Sequence, residues 1–366
     1  MKNIKFIIAI IMVMAITLAS FAACSPDNSG DTSSQEASKE QSSNAESSAD
    51  ASSDAEPSED EASSITPEDV TIRIAGMTGP TYMGMAKLME DSANGITANK
   101  YDFSEPYTTA DQFASKFVKG DYDIVSIPAN LAAKLNVNTN GKVKVLAVNT
   151  LGVLYIVAKG ENVDSLESLK GKTIYCTGMG SVPEYTLRYL LSQNNIDADK
   201  DVNIVWKSSA DEIVASIGQE ENCIAMLPQP FVTKALQLVE GLEIKLSLTD
   251  EWKKLDNGSE LITSVIVVKE DFAQKYPNAV AVFMQEVEAS IEYVNANNAE
   301  AGELIGKYNI AGAPIATKAL PYCNLVFIDG EEMQTKLLGY LGALHSLDPD
   351  AVGGKEPDAS LFYEAK

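Results

Sequence analysis

The chain has 366 residues, 52 acidic against 28 basic ones, a formal net charge of −24 and a single histidine. No basic stripe is present to meet a phosphate backbone, which excludes nucleic acid as a partner. Four cysteines in this length exclude a disulfide-built scaffold.

At the N-terminus Lys2 and Lys5 precede an apolar run over residues 6–18. That run is too short to span a bilayer, which takes about 20 residues, and reads as a secretory signal peptide over residues 1–23. It ends in Phe21-Ala22-Ala23-Cys24, similar to a bacterial lipoprotein cleavage box with Phe21 in the usual leucine position. Cleavage there would leave Cys24 as a lipid-bearing (palmitate-type) first residue on the extracytoplasmic face of the cell membrane. The alternative is a plain signal peptide followed by an incidental cysteine. Residues 24–69 form a tether: 14 serines and 13 acidic residues stand against Lys39 alone, with no aromatic. Such a segment buries too little apolar surface to offset its ordering entropy and is expected to be disordered. Its net charge of −12 is half of the chain's −24.

The body from residue 70 onward is roughly at the size where one core divides into two. It begins with a strand at 70–75, a turn through Gly76-Met77-Thr78-Gly79-Pro80-Thr81, and a helix at 82–90. A short strand at 101–103, a helix at 110–119, a strand at 123–127 and a helix at 129–135 follow, the last two separated by Pro128. Residues 142–148 and 151–158 are both β-rich, with Tyr155 inside the second. Residues 169–193 carry the most informative stretch. A strand at 172–177 enters Gly178-Met179-Gly180-Ser181 and leaves as a helix from Val182. Ser181 and Glu184 have capping-box spacing, Pro183 suits a first helical turn, and Leu187, Leu190 and Leu191 share one face. Beyond it come a strand at 203–206, a helix at 210–218, a strand at 223–227, Pro228-Gln229-Pro230 and a helix at 231–239. A β-branched run at 262–268 leads into helices at 271–275 and 279–295, and the remainder, including 300–307 and 331–345, reads as mostly helical. Alternating strands and helices predict an α/β architecture with largely parallel sheets; no sequence repeat of useful period is present.

Four strands end in a turn with proline in or beside the first helical turn: at Pro80, Pro128, Pro183 and Pro228/Pro230. Two precede Tyr155 and two follow it. Ligands of open α/β sheets sit beyond the carboxyl ends of strands, so two sheets with two such corners each predict a cleft. The candidate ligand-binding residues are Thr78, Gly79, Thr81 and Tyr82 from the first corner, and Ser126, Ala129 and Asn130 from the second. The third contributes Gly178, Gly180, Ser181 and Tyr185, the fourth Gln229, and Tyr155 lies between the pairs. Tyr82, Tyr155, Tyr185 and Phe231 either line a ring-shaped ligand or pack their own helices. Ser181 either meets the ligand or is spent as a helix cap. Arg188, one turn into the third helix, is the only arginine near a corner, and Glu184 opposes an anion there. The expected solute is therefore a small polar or heteroaromatic molecule, neutral or with one anionic group, rather than a free inorganic oxyanion.

Enzyme classes fit poorly. His345, the lone histidine, lies far along the sequence from every corner, Gly178–Ser181 does not match G-x-S-x-G, and the turn lacks the rest of a dinucleotide fingerprint. Zinc-ligand spacing is missing, so neither metal nor cofactor is expected. Cys176, Cys223 and Cys323 each sit in an apolar stretch and read as buried free thiols, with a Cys176–Cys223 pair as the alternative.

The chain resembles the solute-binding proteins of ABC importers, in the SsuA-like branch with nitrate-, sulfonate- and thiamine-precursor-binding members. The likeness rests on Leu169-Lys170-Gly171-Lys172-Thr173-Ile174, on Gly120-Asp121-Tyr122-Asp123-Ile124, on the small-residue loop at 177–181, and on residues 222–230. In the last of these Gln229 stands where the family usually has glutamate. The resemblance implies a two-lobed, periplasmic-binding-protein-like (type II) fold with two hinge crossings, placed at 155–158 and 264–268. Lobe one would be 70–157 plus 267–366 and lobe two 158–266. It further implies a monomer that binds a small-molecule solute and delivers it to an ABC permease and its ATPase. A ligand-sensing ectodomain is the alternative. Related pyrimidine synthases share the fold but rely on histidine and a cysteine cluster that this chain lacks.

Overall fold

The structure, a computed structural model, describes residues 65–364; the signal peptide, Cys24 and the tether up to residue 64 lie outside the described residues. The first sheet begins with β1 (Thr71–Ala75), β2 (Lys100–Phe103), β3 (Ile124–Pro128) and β4 (Val143–Leu151). The chain then leaves for a second sheet made of β5 (Leu154–Lys159), β6 (Thr173–Cys176), β7 (Asn203–Trp206), β8 (Cys223–Pro228) and β9 (Glu243–Ser247). It returns with β10 (Ile262–Lys269) and β11 (Leu325–Ile328). The strand orders are β11-β4-β10-β3-β1-β2 and β7-β6-β8-β5-β9. Both contain one pattern: second strand, first, third, an inserted strand arriving from the other sheet, then fourth. The fold thus has an internal repeat that leaves no periodic trace in the sequence.

The expectation of largely parallel sheets is corrected here. β1 pairs in parallel with β2 and β3, and β6 with β7 and β8, but the inserted strands run the other way. β10 is antiparallel to β3 and β4, and β5 to β8 and β9, while β11 is antiparallel to β4. A strand that enters a sheet from a neighbouring one starts at the end facing that neighbour, so it points back through the sheet. The crossings also fall elsewhere than expected. β5 and β10 each lie whole within one sheet, so the passages are Gly152-Val153 and residues 254–261, not 155–158 and 264–268.

The helices are α1 (Pro80–Met83), α2 (Ala86–Ala93), α3 (Asp111–Lys119), α4 (Ala129–Asn138), α5 (Val182–Gln193), α6 (Ala210–Ile217) and α7 (Phe231–Leu238). They continue with α8 (Leu248–Lys253), α9 (Glu270–Lys275), α10 (Pro277–Ala296), α11 (Asn298–Lys307), α12 (Ala313–Ala319) and α13 (Gly330–Leu347). The single helix expected at 82–90 is broken into α1 and α2 because α10 presses on the break. The Ser290 hydroxyl donates to the Gly84 carbonyl at 2.6 Å and accepts from the Leu88 amide at 3.0 Å. A side chain at Gly84 would meet Ile291 at 2.7 Å. The glycine of the Gly120–Ile124 motif ends α3 in the left-handed region, φ 97°, where a Cβ is disfavoured. Its Asp123 is buried and holds Arg73 through two side-chain bonds of 2.9 and 2.6 Å.

Three apolar clusters form the interior. One lies between the first sheet and α1, α2 and α9–α12, through Ile74, Tyr82, Phe283 and Val287. Another packs α6 and α7 on one face of the second sheet, through Val157, Ile213 and Val232. The third is shared. It joins Val125, Ile127 and Val265 of the first sheet to Ile156, Ile174 and Met226 of the second, with Leu337, Tyr340, Leu341 and Leu344 of α13 and Trp252 of α8. The C-terminal helix thus packs on α4 and β4 as well as on α5. Cys176, Cys223 and Cys323 are buried free thiols, and burial pushes Cys176 and Cys323 up to about 12. Among the described residues no helix is long and apolar enough to cross a membrane.

Candidate functional site

The four proline corners lie at matching places: beyond the carboxyl ends of the first and third strands of each sheet, β1 and β3, β6 and β8. These strands are neighbours within each sheet, so the corners come in two adjacent pairs.

At the first corner Gly79 has φ 89°, and the amides at its rim are already used. Thr78 donates to the Tyr107 carbonyl at 2.8 Å and Gly79 to the Ile310 carbonyl at 3.0 Å. Thr81 is buried. Its carbonyl accepts from the Ser126 hydroxyl at 2.6 Å and from Asn149 Nδ2 at 2.8 Å. The Tyr82 ring lies against Gly76, where a Cβ would come within 2.3 Å of it, and it is fully buried. Burial raises its phenol well above the ordinary value. Tyr82 belongs to the interior cluster, because helix α1 turns it inward, and is no ring-lining residue.

At the second corner the Ser126 hydroxyl is spent on Thr81 and also accepts from Asn149 Nδ2 at 2.9 Å. Asn149 Oδ1 accepts from Ser264 at 2.8 Å, and Thr150 donates to the Pro80 carbonyl at 3.3 Å. Three adjacent strands therefore hold α1 in place through a buried polar network. Ala129 and Asn130 begin α4, whose first turn has no acidic residue and whose first amides lack intrahelical partners. The Asn130 side chain itself is turned away, donating to the Ala351 carbonyl at 3.3 Å.

The third corner already holds an anion. Ser181 donates to the Gly178 carbonyl at 2.7 Å instead of capping α5, while Glu184 folds back and accepts from the Gly180 amide at 2.7 Å. Only one arm of the expected capping box exists, shifted by one residue. Arg188 pairs with Glu184 at 2.8 Å and with Asp199 at 3.0 Å. Gly178 and Gly180 both have positive φ, and Tyr185 is buried against the shared cluster. Burial, with Asp348 as the largest nearby negative charge, raises the Tyr185 phenol.

At the fourth corner Gln229 is 2% exposed. Its amide donates to the Val153 carbonyl at 2.9 Å, which ties it to the first crossing. Its Oε1 accepts from the Thr233 hydroxyl at 2.8 Å and the Thr233 amide at 3.3 Å, whereas Nε2 is buried without a partner. α7 has no acid in its first turn, and Lys234 lies 6.0 Å from the half-buried Phe231 ring. The Tyr155 hydroxyl donates to the Tyr322 carbonyl at 3.1 Å, so it links the second sheet to the tail of the first, and burial pushes it up to about 12.

The first and fourth corners face one another closely: a methyl group on Gly79 would lie 3.9 Å from Pro230 Cδ. The second and third are linked instead through the C-terminal turn Pro349–Val352, which takes the Asn130 contact and lies beside the acids near Tyr185. Asn149, Ser264 and this turn escape sequence reading. A cavity of about 410 Å³ opens among Lys144, Glu270, Pro277 and Phe362, at the opposite ends of the first sheet's strands, and no candidate residue lines it.

A family model described as ABC transporter, phosphonate, periplasmic substrate-binding protein matches residues 103–318. The chain belongs to this family. A search of curated proteins gave no match, whereas solved structures agree on the fold. An ABC transporter structure from Parabacteroides distasonis is 21% identical with TM-score 0.68, covering 81% of this chain and 100% of that one. The aliphatic sulphonate binding protein SsuA from Escherichia coli is 14% identical with TM-score 0.65, covering 81% and 92%. The nitrate-binding protein NrtA from Synechocystis is 12% identical with TM-score 0.51, covering 75% and 77%. The resemblance to SsuA-like solute-binding proteins and the two-lobed α/β fold thus both hold. This substrate-binding protein is an extracytoplasmic component of an ABC importer, not an enzyme. Its one histidine, His345, sits in the last turn of α13, remote in sequence from the corners.

Proposed function

We propose that this importer component captures a small polar organic solute with one anionic or strongly accepting group in the cleft between its two lobes. The supporting observation is the pairing of equivalent strand ends across the two sheets, with Gly79 and Pro230 almost touching and the Ala129 and Asn130 amides of α4 and the Phe231 and Val232 amides of α7 without intrahelical acceptors. Lobe one is residues 70–151 with 262–364, lobe two 154–253, and closure is a hinge motion about Gly152-Val153 and residues 254–261. The heteroaromatic alternative has lost most of its footing, since Tyr82 and Tyr185 are packed inside and the Tyr155 hydroxyl is committed; Phe231 alone is left to face a ring.

Calorimetry on the full chain in detergent, with methylphosphonate, methanesulfonate, sulfate, nitrate and uracil as titrants, tests this reading. At least one organic phosphonate or sulfonate should bind at micromolar level, equivalent to about 8 kcal/mol. Tight sulfate or nitrate binding with every organic titrant silent would defeat it.

We further propose that the chain acts as a lipid-anchored monomer held through Cys24, with the tether giving reach to a permease and its ATPase. Where the tether meets the body, Glu68 accepts from the Asn278 and Ala279 amides at 3.2 and 2.6 Å, which fixes its last residues to the start of α10. Cys24→Ser should release the protein from sedimented membranes; a variant that still pellets with them would remove the anchor.

A further inference from the structure

The corners are not electrically alike. The α5 corner carries Glu184, which already occupies the Gly180 amide and is itself neutralised by Arg188, while Asp348 and Asp350 lie near Tyr185 on the same side. A second anion there would meet a donor already taken and a negative surround. The α7 corner is the reverse. Phe231 and Val232 begin a helix of 8 residues with no acid in its first turn, so their amides lack intrahelical acceptors. Gln229 stands over that helix start. Because the Thr233 amide can only donate, Gln229 must present Oε1 to it, which fixes the side chain's orientation and leaves Nε2 as the free end. That Nε2 is buried and unpartnered, and a buried donor without an acceptor is costly enough to be rare.

We infer that Gln229 is the specificity-determining residue of the cleft, donating from Nε2 to an oxygen of the solute's anionic head, which docks at the α7 corner facing Gly79. This assignment rests on the proposed solute-capture function and deepens it. The head is a tetrahedral oxyanion of the sulfonate or phosphonate kind, acceptor-only as a sulfonate or as a phosphonate dianion. A solute presenting an ammonium group to Gln229 Nε2 is disfavoured, since that nitrogen can only donate and Oε1 is already taken by Thr233.

The test measures dissociation constants for methylphosphonate and methanesulfonate at pH 8 and pH 5, using the full chain in detergent and taking the ratio of variant to wild type at each pH. Gln229→Glu keeps the acceptor for Thr233 but turns the donor into an ionised oxygen. Its ratio for methanesulfonate should reach at least about tenfold at pH 8, and should be smaller at pH 5 to the extent that burial lifts the introduced carboxyl above its ordinary value of about 4.3 and keeps it protonated. Gln229→Met adds no charge, guards against a folding failure of the first variant, and should weaken binding about tenfold at both pH values. Glu184→Gln should leave the ratio within about twofold. Ratios within twofold for both Gln229 variants would overturn the assignment, as would Glu184→Gln tightening binding tenfold, which would move the head to the α5 corner. Wild type silent to both probes would instead defeat the functional reading and this assignment with it.

Discussion

Trp252→Ala should cost about 3–5 kcal/mol of unfolding free energy, the range for truncating a fully buried aromatic. Trp252 is 0% exposed in α8, with its ring 4.8 Å from Tyr189 of α5 and 5.3 Å from Tyr340 of α13. Its indole N–H donates to the Ser259 hydroxyl at 2.9 Å, in the second crossing. The side chain therefore joins the second sheet's helices, the C-terminal helix and a hinge segment. Removing it leaves a cavity in the one cluster shared by both sheets. Denaturant unfolding followed by circular dichroism should show the lower midpoint. Fluorescence of Trp206, then the only tryptophan left, should lose its coincidence with that curve as the two halves uncouple. A loss below about 1 kcal/mol with coincident curves would mean that α13 and α8 do not share a core.

Asn149→Leu should cost about 3 kcal/mol and weaken solute binding as well. Asn149 is 3% exposed and makes three bonds: to the Thr81 carbonyl, to Ser126 and from Ser264. Leucine has similar bulk but leaves the Ser264 hydroxyl without its acceptor and the Thr81 carbonyl short of a donor, at about 1–3 kcal/mol for each buried group left unpaired. The effect on binding follows from the size of α1. A four-residue helix has almost no stability of its own, and the carbonyls of Pro80 and Thr81 are what the network grips. A double-mutant cycle with Ser264→Ala, read by chemical denaturation, should give a coupling energy of about 1 kcal/mol. Additive losses would show that the two residues act separately and that α1 is held by something else.

The elements that were legible in the sequence share a strong local signal. β10 reads as a β-branched run interrupted only by Ser264 before its closing Lys269, because both its faces are buried. The proline corners are visible because proline's fixed φ and missing N–H suit a helix start. β9, α8 and β11 were not recognised, and α12 was covered only by the reading of the C-terminal third as mostly helical. β9 is an edge strand whose Glu243 and Ile244 are exposed, so it lacks the apolar alternation of a strand with one covered face. α8, with 6 residues, is too short for helical periodicity to show.

The candidate site divides along the same line. Corner positions are local and were recovered. Which groups at a corner remain free is decided by distant partners: Ala351, 221 residues from Asn130, takes its side chain, and Ser264, 115 residues from Asn149, completes the network behind the first corner. Glu184 shows both halves of the problem. Its closeness to the α5 start is written in the sequence, but its seizure of the Gly180 amide depends on backbone geometry that places Gly180 at φ 74°.

By itself the sequence determined the α/β class, four proline-marked strand-to-helix corners, cysteines set in apolar stretches, and an acidic composition unsuited to nucleic acid. Each follows from residue type and local spacing, which act over a few residues. Only the tertiary structure decided strand direction, where the chain crosses, that α13 packs on both halves, and that the α7 corner rather than the α5 corner has a donor to spare. Those outcomes depend on which distant groups meet, and a hydrogen bond or a packed ring has no preference that a single segment can express before its partner arrives.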